Sequence, residues 1–510
     1  MELVSLLVLV SSLLWVALAI YRALSSPRRD IPGPWMARIT RFWYFNRVKN
    51  GSFHLENIAL HEKYGPIVRV APNWYSISSP DTAVYHISSK FPKSDWYEGW
   101  KHPSPDRWSL FTDQNIKRHA ETRKRFQGLY SMSSLLSYEQ YVDECIDILL
   151  SRLTQIAQSG ESVDMAHWLQ CFAFDVMGNI TYSERFGFLD NGEDINGTLA
   201  ALQTSLVYST LAGIYAWFHP YAYAVMEHIP GSGAAGRNFL MAFVNRKIEA
   251  RNQERKTLIG QKFPEAYDPE RQPRDFLDKL SDSHEQHPEK VTRDHIFMMG
   301  LSNVIAGSDT TAISLSAILH FLMRSPKILA KLREEIDAQT TMNGHIPFKV
   351  ACRMPYLQAT IKEALRLHPA TGLPLWRIAP EGGAVVANKH FPAGAVIGVN
   401  SWVAHYDQEV FGTDASAFRP ERWLEAMSRD KEHYQRMEAN YIPFGLGSRT
   451  CIGRHISMLE MTKLIPELIS RFDIMEDKPE SRWKCKNYWF VKPEHLQVRL
   501  TTRSSPEGTR

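Results

Sequence analysis

The sequence predicts a mainly α protein with small β-sheets, folded as a single large domain behind an N-terminal transmembrane helix. Three observations predict it. A run of 19 residues without a charge, residues 3–21, opens the chain. Apolar residues spaced three and four apart, the helical period, dominate the long middle. No internal repeat and no Ser/Gly-rich linker divides the remainder, although 510 residues at about 150 per domain suggest three units.

As a helix the opening run spans roughly 29 Å, close to the hydrocarbon thickness of a bilayer. Ala17-Leu18-Ala19 offers a site for signal-peptide cleavage. Against cleavage, Glu2 precedes the run with no Lys or Arg, and Arg22, Arg28 and Arg29 all follow it. Positive flanks stay cytoplasmic, so residues 1–22 read as an uncleaved anchor with the body of the protein in the cytoplasm. Residues 23–36 form a Pro-rich hinge around Ile31-Pro32-Gly33-Pro34, where fixed φ angles and missing N–H donors disfavour helix. Residues 37–502 read as the one large folded domain, and 503–510 as a polar tail, with fraying expected from Thr501 on.

Within that domain, residues 66–80 read as two short strands turning at Pro72-Asn73. Residues 384–401 read as a second pair turning near Pro392-Ala393-Gly394. Helical spacing marks 134–158 and 162–182. The longest helix starts at Thr292, whose hydroxyl caps it, and runs to about Ser325, where Pro326 stops the pattern.

Composition excludes several classes. Hydrophobic residues at 44% exclude disorder, and a mean hydropathy of -0.30 excludes a multi-span membrane protein. Fifty-nine Lys+Arg against 55 Asp+Glu leave +4, too weak a field to argue for nucleic acid. Cysteines at 145, 171, 352, 451 and 485 include no CxxC pair, so they form neither a disulfide framework nor a zinc site. They suit a reducing compartment, and any special cysteine acts alone.

Cys451 stands in the densest cluster, Phe444-Gly445-Leu446-Gly447-Ser448-Arg449-Thr450-Cys451-Ile452-Gly453. Two glycines allow a tight loop that approaches a flat ligand closely. The segment behind Cys451 is helical, with Ile452, Ile456, Leu459 and Leu464 as its apolar stripe, so the cysteine lies at a helix N-terminus, where N–H groups favour a thiolate. A lone thiolate on such a loop suits the axial position of haem iron. The other four cysteines read as buried structural residues.

The run FGLGSRTCIG resembles the haem-binding signature of the cytochrome P-450 monooxygenases, and the resemblance covers about residues 30–500. The stretches HAETRKRFQGLYSMSSLLSYE and FAFDVMGNITYSERFGF are similar to fungal microsomal members of the pisatin demethylase type, which commonly tailor secondary metabolites. The resemblance implies haem b, held by Cys451 as axial iron ligand with Phe444 and Gly453 in the same loop. It implies a buried structural ion-pair network of Glu363 and Arg366 with Arg422, where spacing alone reads as a surface pair. Gly307, at about 1 kcal/mol of helix stability, is implied to admit dioxygen and substrate. Asp309 and Thr310 take the family's proton-relay positions, since splitting dioxygen consumes protons that an acid and a hydroxyl can supply. His119, where the family often has Trp, and Arg123, Arg377 and Arg449 match the groups that hold the haem propionates.

Ile305, Ala306, Leu373 and Leu375 sit where the family lines the space above the haem. Residues 200–230 are aromatic-rich and read either as core helix or as an access lid touching the bilayer; Trp96, Tyr97, Trp100 and Trp108 read as a pocket wall. Together these imply a hydrophobic substrate oxidised at the endoplasmic reticulum membrane, with electrons from an NADPH-cytochrome reductase type donor. The alternatives are a haem-thiolate isomerase or dehydratase without external electrons and a non-catalytic haem or lipid-binding protein; Thr310 disfavours both. Sequons start at Asn50, Asn179 and Asn196 and are glycosylated only if the body is luminal.

Overall fold

The computed structural model describes residues 29–503 apart from 105–106, 261–274, 340–343 and 479–482, together with positions 5, 6, 9–11, 13, 14, 17 and 21 of the opening run. Most of the expected anchor, residues 23–28 of the hinge and residues 504–510 of the tail lie outside the described residues. The described positions of the opening run are all helical and all exposed, Leu14 at 69%.

The principal helices are α1 (Ile116–Phe126), α2 (Glu139–Ser159), α3 (Met165–Tyr182), α4 (Thr198–Ala212), α5 (Gly233–Gly260), α6 (Arg293–Met323), α7 (Pro355–Leu367) and α8 (Arg454–Arg471). Helix α6 begins where the sequence predicts. The Thr292 hydroxyl accepts the His295 N–H (3.3 Å), and the His295 ring accepts the Thr292 N–H (3.2 Å), a capping box with His in place of Glu. Pro326 then opens a new helix rather than merely ending this one.

Helices α2, α3, α6 and α8 close into a ring, each packed on the next. From Thr311 to His320 every side chain of α6 is buried, so this helix, long and apolar enough to cross a membrane, is instead the core of the domain. A Cβ built at Gly307 would stand 2.7 Å from Met177 Sδ, and one at Gly300 2.9 Å from the Tyr182 hydroxyl. Both glycines therefore serve the close approach of α3 to α6.

The strands are β1 (Ile67–Ala71), β2 (Trp74–Ile77), β3 (Val163–Asp164), β4 (Arg377–Ile378), β5 (Ala384–Val386), β6 (Lys389–Phe391), β7 (Val396–Val399), β8 (Phe472–Glu476), β9 (Cys485–Tyr488), β10 (Phe490–Pro493) and β11 (Gln497–Thr502). The first hairpin is as expected. Residues 384–401 hold three strands, not two. β5 and β6 turn at Ala387 and Asn388, both left-handed (φ 47° and 61°), as a two-residue hairpin requires. Pro392 to Gly394 instead lead β7 into the four-stranded sheet β1-β2-β7-β4, where it runs parallel to β2. Nor does the chain fray at 501. Thr501 and Thr502 pair with Asp473 and Phe472, and Arg503 forms an ion pair with Asp337 (2.6 Å).

The ion-pair network is buried as the resemblance implies. Glu363 and Arg366 are fully enclosed and Arg422 is 3% exposed. Glu363 accepts from Arg366 Nε and Nη2 (2.9 and 2.8 Å), Arg422 Nε (2.8 Å), Trp423 Nε1 (2.9 Å) and the Arg419 N–H (3.1 Å). Sequence reading missed His405. Its Nδ1–H donates to the Arg366 carbonyl (2.9 Å), and its Nε2 accepts the Ile442 N–H (2.8 Å), which ties the network to the chain entering the cysteine loop.

Removing one member of a buried pair leaves the other charge uncompensated, at about 3–5 kcal/mol. Glu363→Ala is therefore expected to abolish or severely lower the yield of haem-loaded protein, read as thermal unfolding midpoint and haem content. Burial also depresses His54, His61, His368 and His405 to about 3, 4, 4 and 3. These rings are protonated in the unfolded chain below about 6.5 but stay neutral when folded. Their contribution is complete above that pH and is lost as pH falls from it toward their folded values. The unfolding midpoint is expected to drop steadily between about pH 6.5 and 4.

Candidate active site

Gly445 and Gly447 are both left-handed (φ 66° and 64°), and a Cβ on Gly447 would overlap the Tyr85 carbonyl. The loop thus requires glycine there for close packing on the Tyr85 backbone. The Cys451 N–H donates to the Phe444 carbonyl (2.8 Å), which closes the loop. Helix α8 starts at Arg454 with Gly453 as its N-cap, so Cys451 stands two residues ahead of the cap. A Cβ built on Gly453 meets nothing within 4 Å. Cys451 is accessible, whereas Cys145 and Cys171 are buried; Cys352 is exposed and Cys485 intermediate, so burial explains only two of the other four.

Desolvation pushes the Cys451 thiol above its ordinary pKa. The N–H groups of Gly453 and Arg454 and the charges on Arg123 and Arg454 oppose that rise. Helix-end donors alone do not generate the thiolate that the sequence reading expects, but they are the groups that would stabilise one bound to a metal.

Four cations and one histidine converge beside this loop. His119 and Arg123 lie one turn apart on α1, Arg377 on β4 and Arg449 in the loop, all from the sequence prediction. The fifth, Lys93, was not foreseen. It pairs with Arg377 through an isolated β-bridge and is 6% exposed. No motif marks it in the sequence; only the pairing of distant strands brings it here. Lys93 Nζ donates to the Phe111 carbonyl (2.5 Å), Arg449 Nη1 to the Asp113 carbonyl (2.8 Å), and Arg377 Nη1 to the Trp376 carbonyl (2.9 Å). Among the described residues none of Lys93, Arg123, Arg377 and Arg449 has a carboxylate partner, and Arg449 Nη2 is buried without any. Asp113, the nearby acid, is paired with Arg118 (2.6 Å).

Burial and mutual repulsion shift the protonation of this group of side chains. Burial, followed by the charges on Arg449, Lys93, Arg123 and Arg377, lowers His119 to about 2, so its ring is neutral and retains one N–H donor. Burial and then Arg377 lower Arg449 to about 10 and hold Lys93 well below its usual value. A largely buried cluster of cations, with the nearby Asp113 already paired with Arg118, fits a ligand that brings its own carboxylates, as the two propionates of haem do.

On α6, Asp309 is fully buried. Its Oδ1 accepts from Gln170 Nε2 (2.5 Å) and Lys492 Nζ (3.0 Å). The Thr310 hydroxyl instead donates to the Ala306 carbonyl (2.8 Å). The acid and the hydroxyl adjoin in sequence but have separate partners. Ala306 is exposed, and Ile305, Thr310 and Leu375 are half-buried, while Leu373 is buried at 1%. Trp96, Tyr97, Trp100 and Phe111 form one aromatic cluster with Trp489, whose left-handed φ of 77° in the turn of the β9–β10 hairpin was not foreseen. Trp108 stays outside it, against Arg118 and His295.

The cytochrome P-450 family model matches residues 32–498, and the chain is a member of that family, a haem-dependent monooxygenase served by a redox partner and acting on a hydrophobic substrate. Among its relatives, a pisatin demethylase of Fusarium vanettenii is 38% identical over 501 residues, covering 97% of this chain and 94% of the relative. A cytochrome P-450 monooxygenase of Emericella nidulans is 36% identical over 488 residues, covering 93% and 94%.

If Lys93 belongs to the cradle, Lys93→Met removes one charge-assisted bond of about 1.5–3 kcal/mol. Haem transfer to apomyoglobin is then expected to run about 10- to 100-fold faster than from the parent protein.

Proposed function

We propose that this chain is a membrane-anchored monooxygenase that inserts one oxygen atom of O2 into a hydrophobic small molecule of fungal secondary metabolism, with electrons from an NADPH-dependent cytochrome reductase. The observation that carries the reading is the exposed residue Cys451, with the N–H groups of Gly453 and Arg454 directed at its thiol, beside a cationic cluster whose members have no carboxylate partner among the described residues. Cys451 would hold the haem iron. His119, Arg123, Arg377 and Arg449, with Lys93, would hold the propionates, and Phe444 and Gly453 shape the loop. Haem, when bound, supplies dioxygen activation and transfer of one oxygen atom to a C–H bond. Asp309 carries protons inward and Thr310 presents a hydroxyl to the reacting side. Ile305, Ala306, Leu373 and Leu375 belong to the substrate wall, where apolar contacts exclude water.

Residues 1–22 anchor the chain in the endoplasmic reticulum membrane, 23–36 are the hinge, and 37–502 the cytoplasmic catalytic domain. Exposed apolar positions support contact with a bilayer. Trp217 (70%), Tyr221 (68%) and Val225 (65%) follow α4. Trp35 (70%) and Phe42 (51%) belong to the first helices of the domain. Arg41 donates to the Ile214 carbonyl (3.3 Å), which sets the two segments side by side. The pisatin demethylase relatives suggest a demethylation as the outcome of the oxidation.

Cys451→Ser is expected to abolish the thiolate band of the reduced carbon monoxide complex together with activity; activity surviving on bound haem would sink the ligand assignment. Topology has a separate test. Asn179 is buried at 5%, which leaves Asn50 and Asn196 as exposed sequons. Microsomal protein should be insensitive to glycosidase, and a mobility shift would place the body in the lumen.

A further inference from the structure

The aromatic cluster rides on a short strap. A 3-10 turn, Asp95–Trp100, places Trp96, Tyr97 and Trp100 against Trp489. The Trp489 carbonyl accepts the Gly372 N–H (2.8 Å), so the cluster abuts the segment that holds Leu373 and Leu375. On its other side the turn packs on α4. Trp96 Nε1 donates to the Thr210 carbonyl (3.1 Å). A Cβ built on Gly99 would stand 2.6 Å from the Ser209 carbonyl and from the Gly213 nitrogen, and one on Gly213 would overlap the Trp96 carbonyl. Arg237, on α5, closes this contact. It is 5% exposed, and among the described residues it has no carboxylate partner. Its Nη1 donates to the Lys101 carbonyl, and its Nη2 to the Gly99 carbonyl (2.9 Å) and to Ser209 Oγ (2.5 Å). His219 Nε2–H donates to the same Lys101 carbonyl (3.1 Å), while its Nδ1 accepts from the Tyr208 hydroxyl (2.9 Å). Both lone pairs of that carbonyl are engaged.

We propose that Arg237 is a latch, a positioning residue that fastens residues 95–101 to α4 and α5 and whose release sets the rate at which ligands reach and leave the space beside Leu373 and Leu375. The inference rests on the reading of those two residues as substrate wall. The physical reason lies in the acceptors. An arginine held by an acid would keep its partner when the strap moved. Here the backbone of the strap supplies two of the three acceptors. Parting the strap from the helices leaves the guanidinium with one hydroxyl in a desolvated space, which is costly. The strap and the α4–α5 pair therefore stay together until Arg237 lets go. Arg237 acts through the Gly99 and Lys101 carbonyls and makes no bond to the substrate.

The test compares full-length, haem-loaded parent protein with Arg237→Met and Arg237→Lys. An ammonium keeps the charge but lacks the fork that spans both carbonyls and the hydroxyl. The Tyr97 and Lys101 N–H groups bond to the Ser94 and Glu98 carbonyls (both 3.2 Å), so hydrogen exchange there reports the strap. One charge-assisted bond corresponds to about tenfold or more in an opening equilibrium, so exchange at these amides should quicken about tenfold in Arg237→Met and less in Arg237→Lys. The amides of α3 and α8 should exchange as in the parent. The ligand probe is 4-phenylimidazole, whose ring nitrogen binds haem iron and shifts the Soret band. In stopped flow it should both associate and dissociate about tenfold faster with Arg237→Met, with little change in its dissociation constant, because release of the strap serves both directions. Unchanged exchange at Tyr97 and Lys101, or exchange raised throughout the domain, overturns the latch. Faster exchange there with unchanged ligand rates overturns its role in ligand entry. Should Arg237→Met not fold, Arg237→Lys decides by the same comparisons. A parent protein whose Soret band ignores 4-phenylimidazole overturns the reading of the wall, and the inference with it.

Discussion

Two arginines, a tryptophan and a backbone N–H all donate to one enclosed carboxylate, that of Glu363. The cysteine loop depends on this arrangement. Arg366 places its carbonyl against His405, His405 holds the Ile442 N–H, and two residues later Phe444 accepts the N–H of Cys451. A fully buried charge is tolerated only when every lone pair is satisfied. Meeting that condition fixes α7, the Arg422 segment and the entry to the loop relative to one another. The two His405 bonds also fix its tautomer, because a carbonyl can only accept and an N–H can only donate.

Beside the loop the electrostatics are reversed. Lys93, Arg123, Arg377 and Arg449 stand close together, and burial first, then their charges, lower the pKa of His119. Such a cluster is unfavourable without anions, so binding a dicarboxylate cofactor relieves repulsion as well as forming hydrogen bonds. Cofactor binding and fold stability are thereby linked.

Helix α6 runs between these regions. Its hydroxyls turn back on their own carbonyls: Ser308 to Val304, Thr310 to Ala306 and Ser314 to Thr310. Bonds of this kind slightly destabilise and often bend a helix. The Gly307 and Gly300 contacts with α3 keep the helix in place, while Asp309 is drawn sideways to Gln170 and Lys492.

Local patterns were enough to reveal the long helices, the Thr292 cap, the first hairpin and the glycine loop around Cys451, because periodicity, capping and turn chemistry act between residues a few positions apart. The resemblance carried Glu363, Arg366 and Arg422, which spacing alone reads as a surface pair. Other features were not legible. Pro392 to Gly394 has the composition of a hairpin turn, yet β7 leaves for β2, since parallel pairing between distant segments has no local signature. Lys93, His405, Gln170 and Lys492 stand in no motif. What the sequence by itself determined is the class of chemistry and the loop proposed to bear it: a solitary cysteine between glycines at the head of a helix. What only the tertiary structure decided is the electrostatic surroundings of that chemistry: which cations crowd together without a carboxylate partner among the described residues, and which partners hold Asp309. Burial and pairing are properties of segments that meet across hundreds of residues, and the energy of a charge depends on those neighbours rather than on its place in the chain.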